Sequence, residues 1–344
     1  MELLKQLYMV SSPSRDEQGM FAFICNWMGE HKMECNVHDW GITCVKGLSD
    51  TYPCIVAHMD EVHKRHPYKR IIETDGIVFG YDVNECAQCG IGADDKNGIW
   101  VALKMLEKLD AVKVAFFVGE EIGCVGSSQC DMSFFDDCRY VIQCDRKNGG
   151  DFITDAGLEL CSSEFVKACQ VDKFGYHEEH GLMTDVLELK ERGLKVSAVN
   201  LSCGYYNPHT ATEYTELSEL QNCLDFVEWI CRNLTDVYPH EASYGSYGWR
   251  GWDDWYGFEP MPKKTNSGAC YYDEGRAFEF IYNEICWYDS IYDAPTFDEL
   301  LKWWRDYTAN KGIGKKKFRK AYEDVVAHLD KSYGFCSLHE EMLN

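Results

Sequence analysis

The sequence predicts an α/β protein with a largely parallel central sheet. Three observations carry that expectation. Short apolar runs of strand length alternate with segments of helical period over the first two-thirds of the chain. Acid- and histidine-bearing segments stand directly after several of those runs, where an open α/β sheet gathers its ligands. No internal repeat interrupts the pattern.

Near the N-terminus, Ser14-x-x-Glu17 has the form of a capping box. Met20, Phe21, Ile24, Trp27 and Met28 follow at helical spacing, so an amphipathic helix is expected there. Cys54, Ile55, Val56 and Ala57 form a buried-strand candidate, and 112–118, 140–142 and 196–201 are others. Between the first two, Ile99, Leu103 and Leu106 mark one face of a helix. These elements fill a first domain over 1–237. Past it the composition shifts. Tyr238, Tyr244, Tyr247, Trp249, Trp252, Trp255, Tyr256 and Phe258 stand among Gly, Asp and Ser with neither period. Residues 238–272 are read as an aromatic, glycine-rich linker whose rings serve packing. Residues 273–344 are read as a small helical appendage. Its helices are expected over 276–288, from the capping box Thr296-x-x-Glu299 through Trp304, and along Phe318, Tyr322, Val325, Val326 and Leu329.

The chain has 344 residues, enough for one large domain or a medium domain with an appendage. Hydrophobic residues make up 45%, which excludes overall disorder. The formal net charge is −23 and the main basic cluster is Lys315-Lys316-Lys317, so a nucleic-acid partner is not expected. An acidic surface suits a substrate with a free amine, and it also keeps a protein soluble. The 18 cysteines are scattered through apolar segments such as Pro53-Cys54-Ile55-Val56, which reads as reduced, buried thiols. The N-terminus lacks the pattern of a signal peptide, and no run of about 18 apolar residues is present, so no membrane partner is expected. The expected compartment is the cytoplasm.

Five segments carry chemistry. They are His58-Met59-Asp60 after the strand 54–57, Gly92-Ala93-Asp94-Asp95-Lys96-Asn97-Gly98 opening a helix, and Glu120-Glu121 after 112–118. The others are Asp145 after Val141-Ile142-Gln143-Cys144, and His209 in Asn207-Pro208-His209-Thr210. A His-x-Asp pair on an extended chain puts both side chains on one face. Imidazoles and carboxylates suit zinc, cobalt or manganese. Two such ions need a bridging carboxylate, and a further carboxylate must take a proton from the attacking water. Adjacent Glu120 and Glu121 offer one ligand and one base. Singly, each segment is common on a solvated surface or at a helix cap. Their weight lies in five of them converging at strand ends.

These motifs, with Ser11-Ser12-Pro13-Ser14, resemble the clan of two-zinc exopeptidases that includes peptidase T, the carboxypeptidase G-like amidohydrolases and the bacterial leucine and glutamyl aminopeptidases. The resemblance covers roughly residues 1–235, and Gly-Ala-Asp-Asp-Lys is especially close to peptidase T. It implies a three-layer α/β/α fold with a mixed, mostly parallel sheet and two divalent ions, zinc first, with cobalt or manganese as alternatives. It implies that His58, Asp94, Glu121, Asp145 and His209 are the metal ligands, with Asp94 bridging and His209 sharing the metal of Glu121. Asp60 would orient His58, Glu120 would be the general base, and Asp95 would be a helix-start residue. The implied activity is aminopeptidase or di/tripeptidase hydrolysis of a small peptide by a metal-bridged water. The alternatives are a deacylase or carboxypeptidase on N-acyl amino acids, and a non-catalytic binding descendant. A homo-oligomer is an open possibility.

Only residues 146–208 separate Asp145 from His209, too few for the lid domain that many members insert there. Residues 59–93, between His58 and Asp94, leave room for a hairpin and no domain. Cys86-x-x-Cys89 lacks a second CxxC and reads as a loop with two thiols. His63 and His66 read as solvated. So do His177 and His180, whose spacing is not that of His-Glu-x-x-His. Thr184-Asp185 reads as a helix N-cap.

Overall fold

The computed structural model describes residues 1–242, 277–278, 280–281, 285, 295–307 and 314–333. The chain divides into two compact units, Met1–Phe258 and Glu259–Asn344.

The first unit opens with helices α1 (Glu2–Met9) and α2 (Gln18–Glu30). Strands β1 (Cys35–His38), β2 (Gly41–Lys46), β3 (Tyr52–His58), β4 (Lys69–Thr74), β5 (Ile77–Asp82) and β6 (Ala87–Cys89) follow. Next come α3 (Ala93–Lys108), β7 (Val112–Phe117), α4 (Val125–Gln129), β8 (Cys138–Arg146) and β9 (Asp151–Asp155). The rest is α5 (Ser163–Cys169), β10 (His177–His180), α6 (Asp185–Glu191), β11 (Ala198–Ser202), β12 (Tyr205–Tyr206), β13 (Tyr214–Glu216) and α7 (Leu217–Asn233).

Eight strands form the main sheet in the order β1-β2-β7-β3-β8-β11-β9-β10. At its centre β3 runs parallel to both β7 and β8, and β8 is parallel to β11. The β1–β2, β2–β7 and β9–β11 pairs are antiparallel, so the sheet is mixed and mostly parallel, as expected. All seven residues of β3 are buried. Its side chains alternate between the two faces. Ile55 and Ala57 join a core with residues of α1, α2, α3 and α7, whereas Cys54 and Val56 join a second core with Val186 and Leu189 of α6. A strand covered on both sides must be apolar throughout, which is why the run was visible in sequence. Each fully buried Val, Leu, Ile or Phe contributes about 1.5–3 kcal/mol.

The segment between Asp145 and His209 is spent on β9, β10 and β11 of the main sheet, with helices between them, and then on β12. No separate lid sheet stands there among the described residues. The space between His58 and Asp94 holds the β4–β5 hairpin, but β6, β12 and β13 enlarge it into a second, five-stranded sheet.

One local expectation fails, and one element lies outside the expectations. Ser14 and Glu17 do not form a capping box: α2 has no side-chain cap, and Ser14 Oγ donates to Asp60 instead. Helix α1 was not anticipated, although Leu3, Leu4, Leu7 and Tyr8 are all buried in the core. The fifteen described cysteines are free, and most are buried.

In the second unit, α8 (Phe297–Tyr307) begins at a reciprocal capping box in which the Glu299 N–H donates to Thr296 Oγ1 and the Thr296 N–H to Glu299 Oε2. It shares a core of Leu300, Trp304, Phe318 and Val325 with α9 (Lys315–Tyr333), joined by the described Ala277, Ile281 and Ile285. The linker expected over 238–272 lies outside the described residues from 243 onward. Tyr238, which is described, packs its ring against Phe165.

Candidate active site

The parallel strands β3, β7 and β8 all end at the same edge of the sheet, and the predicted residues stand there. His58 ends β3, Glu120 and Glu121 follow β7, and Asp145 lies near the end of β8. Asp94 sits in the first turn of α3, where Asp94 and Asp95 have non-helical backbone angles and are joined by a cis peptide. His209 arrives on the β12–β13 loop with φ +64. Every sequence-predicted site residue is therefore brought to one place.

Asp94 is the meeting point of two groups. Its Oδ1 lies 3.0 Å from His58 Nε2, which is also 3.5 Å from Asp145 Oδ1. Its Oδ2 lies 3.3 Å from His209 Nε2, which is 3.0 Å from Glu121 Oε1. Within each of the sets His58–Asp94–Asp145 and Asp94–Glu121–His209, the ligand-type atoms lie within 4.8 Å of one another. Glu120 belongs to neither set, but its Oε2 is 4.0 Å from His58 Nε2.

Asp60 ties these parts together. Its Oδ1 accepts the N–H of Glu120 at 2.9 Å, and its Oδ2 accepts the N–H of Glu121 at 3.3 Å and the hydroxyl of Ser14 at 2.7 Å. It also faces His58 Nδ1 at 3.4 Å. Asp95 behaves as a helix-start residue, with Oδ1 accepting the Gly98 N–H at 3.0 Å; its Oδ2 also accepts the main-chain N–H of His58 at 3.1 Å.

The electrostatics are those of crowded anions. Burial, and then the charge of Asp94, push Asp145 up to about 8. Burial raises Glu120 and Glu121 as well, with neighbouring carboxylates adding to it. Burial works against charge on the imidazoles, but hydrogen bonds to Asp145, Asp60 and Asp94 hold His58 well above its usual value. Asp94 and Glu121 likewise take His209 up to about 11. Burial opposes the charge on Asp94 too, yet His209 and His58 keep it well below the carboxylate range. Among the described residues, the ion pairs of these carboxylates are with imidazoles, not with lysine or arginine. The donor set fits divalent ions of the zinc type: two imidazoles, outer carboxylates, and one carboxylate with an oxygen in each group.

Some supports were not legible in sequence. Asn200 clamps the backbone of Asp145, with Oδ1 accepting its N–H at 2.9 Å and Nδ2 donating to its carbonyl at 3.1 Å. Gln143 Nε2 donates to Asp145 Oδ2 at 3.1 Å, while Gln143 Oε1 accepts the N–H of Val186 in the first turn of α6. Thr184 does occupy the N-cap position of α6. Its hydroxyl, however, donates to Gln143 at 2.7 Å and makes no cap, so Gln143 satisfies the helix in its place. Only the placement of Gln143 two residues before Asp145, on the same face of one strand, could have pointed to it.

His63 and His66 are not solvated. Their side chains are 11% and 10% exposed, and they lie 3.0 Å from Glu213 Oε2 and 3.1 Å from Asp82 Oδ2. His177 and His180 are exposed, as expected. Cys86 and Cys89 are free thiols.

No protein-family model matches the chain, and no curated protein sequence does. Solved structures do. Aminopeptidase PepT from Bacillus cereus is 15% identical with a TM-score of 0.55, over 68% of this chain and 97% of that one. A TET aminopeptidase from a marine-sediment Thaumarchaeota archaeon is 12% identical with a TM-score of 0.53, over 69% and 97%. An aminopeptidase from the archaeon Desulfurococcus kamchatkensis is 17% identical with a TM-score of 0.51, over 68% and 94%. The chain shares the fold of these three aminopeptidase structures.

Proposed function

We propose that the chain is a metal-dependent peptidase, an aminopeptidase or di/tripeptidase, whose machinery lies within residues 1–237. One observation carries the reading: the carboxylate of Asp94 belongs to two ligand groups at once, with Oδ1 toward His58 and Oδ2 toward His209. In this reading His58, Asp94 and Asp145 hold one divalent ion, and Asp94, Glu121 and His209 hold the other. Zinc is the first choice. Bound there, two such ions supply Lewis acidity toward a carbonyl oxygen and make an attacking water more acidic. That the similar folds named above are aminopeptidases supports peptide bonds as the substrate.

The rest is the work of this chain's side chains. Glu120 takes a proton from the attacking water and delivers it to the leaving nitrogen. Its backbone is fixed by Asp60, so its carboxylate stays beside the ligand groups without joining them. Asp60 also holds His58 in orientation, as outer partners of metal-bound imidazoles do.

The test is a pair of variants assayed for turnover on aminoacyl peptides and for bound metal by elemental analysis. Glu120→Gln is expected to lose about 10²–10⁴-fold in turnover with its metal content kept. Glu121→Gln is expected to lose one metal. Unchanged turnover in Glu120→Gln refutes the proposed base, and loss of metal there means that the two glutamates exchange roles. Hydrolysis of N-acyl amino acids, but not of aminoacyl peptides, would move the substrate to the deacylase class.

A further inference from the structure

Glu213 closely follows His209 on the β12–β13 loop and is fully buried. Its two oxygens collect N–H groups from one short stretch of backbone. Oε2 accepts from the N–H of Ile91 at 2.8 Å and of Gly92 at 2.7 Å, and it lies 3.0 Å from His63 Nε2. Oε1 accepts from the N–H of Asp94 at 3.3 Å. Consecutive backbone N–H groups that converge in this way form an anion-binding nest. Here the anion is a side chain of the same protein.

The stretch is gripped from its other side as well. Lys96 Nζ donates to the carbonyl of Ile91 at 3.1 Å and to Glu61 Oε2 at 2.8 Å. Gly92, at φ +63, passes so close that a Cβ there would stand 2.1 Å from Glu61 Oε2. Residues 91–94 are therefore held between two buried carboxylates. Hydrogen bonds to an ionised acceptor are roughly twice as strong as neutral ones. The loop that bears Glu213 is itself compact: the Glu213 N–H donates to the carbonyl of Thr210, whose hydroxyl donates to the carbonyl of Asn207.

We propose that Glu213 is a positioning residue for Asp94. Through the backbone of 91–94 it fixes the Asp94 carboxylate between His58 and His209. It acts from the loop that carries His209, so the two ligand groups keep one separation. A residue that merely filled the interior would hold the protein together without setting that separation. The proposal rests on the two-metal reading, and its test is arranged so that the two can fail separately.

Wild type, Glu213→Gln and Glu213→Asp are prepared free of metal and titrated with Co²⁺ alone, followed by visible absorption and by competition with a chelator. Amide hydrogen exchange over 90–95 is measured on the same metal-free samples. Gln keeps one acceptor but turns an NH₂ group toward N–H donors; Asp keeps the charge but is too short to reach both sides. Wild type is expected to take up two equivalents. In Glu213→Gln one equivalent is expected to weaken about 10–100-fold, the usual effect of losing an outer partner, with a changed Co²⁺ spectrum. Glu213→Asp is expected to fall between the two. Exchange over 90–95 is expected to quicken in Glu213→Gln, while β3 and β7 exchange as in wild type.

Two equivalents bound by Glu213→Gln with wild-type affinity and spectrum would overturn the positioning role. So would unchanged exchange over 90–95, which needs no metal to read. If wild type itself binds no Co²⁺, the two-metal reading fails, and exchange alone then decides the clamp. If Glu213→Gln does not fold, Glu213→Asp carries the same comparison.

Discussion

Two clusters of buried carboxylates meet at the Ile91–Asp94 backbone, and they are neutralised differently. In the first, Glu61 pairs with Lys96 at 2.8 Å and accepts the N–H of Ser12, while Glu213 is filled by backbone N–H groups and His63. Burial opposes charge on Glu61, but Lys96 and Lys69 hold its carboxyl below the usual range. In the second, Asp94, Glu121, Asp145 and Glu120 face one another and two imidazoles, and Asp145 is pushed up to about 8. A buried carboxylate without donors must take up a proton or a cation. The first cluster carries its own lysines. In the reading proposed above, divalent ions take their part in the second.

The largest effect is expected at Lys96. Lys96→Met leaves Glu61 buried without the lysine that bonds it directly, and losing one partner of a buried pair typically costs about 3–5 kcal/mol. Denaturant unfolding of the variant measures this. A loss below about 1 kcal/mol would mean that Lys69 and the Ser12 N–H suffice for Glu61.

The second cluster is expected to answer to metal where the first does not. Free Zn²⁺ at 100 times its dissociation constant stabilises a native state by about 2.7 kcal/mol for a single site. Thermal unfolding of the wild type should therefore shift upward with Zn²⁺ and return in chelator. The shift should shrink in Asp94→Asn. Identical curves with and without metal would remove the distinction between the clusters.

A smaller effect concerns pH. Burial, and then the charge of Lys96, push Lys69 down to about 8 from 10.5. The folded chain therefore releases this proton first as pH rises. Between those two values the unfolded chain binds more protons at this position, so its contribution to stability rises with pH. Wild type should gain relative to Lys69→Met between pH 8 and 10. A gap that narrows over that interval would contradict the assignment.

The smallest effect is the control. His177 is exposed on the edge strand β10, and His177→Ala should change stability by less than about 0.5 kcal/mol, with bound metal unchanged. A loss of metal in that variant would mean that a histidine outside both clusters had been overlooked.

The parts of the fold that were legible in sequence have an identifiable physical character. Strands β3 and β7 were visible because they are covered on both faces and so are apolar throughout. Four of the five site segments were visible because each stands at the end of an apolar strand or opens a helix, whereas His209, on the β12–β13 loop, was marked by Asn207-Pro208-His209-Thr210. The second sheet was not, because β12 and β13 are two and three residues long and show no period. Ser14 misled for another reason: its spacing to Glu17 imitates a local cap, while its hydroxyl is taken by Asp60 from far along the chain. Glu213 was silent because its main partners are backbone N–H groups, which leave no mark in a sequence. Side chains that meet side chains leave patterns of residue type, whereas side chains that meet backbone do not.

The pairing of β5 with β13 has a consequence for the order of events during synthesis. Strand β5 emerges from the ribosome early, together with β3 and Asp94, but its neighbour β13 is made only after the whole main sheet. Until then Asp94 has met His58 but not His209, and the backbone of 91–94 has no Glu213 to fill it. Domains generally fold as units, and contacts far apart in sequence close late. A nascent chain that has made every strand of its main sheet therefore still has half a candidate site, and the loop that completes it is made next, before the α7 residues that close the core.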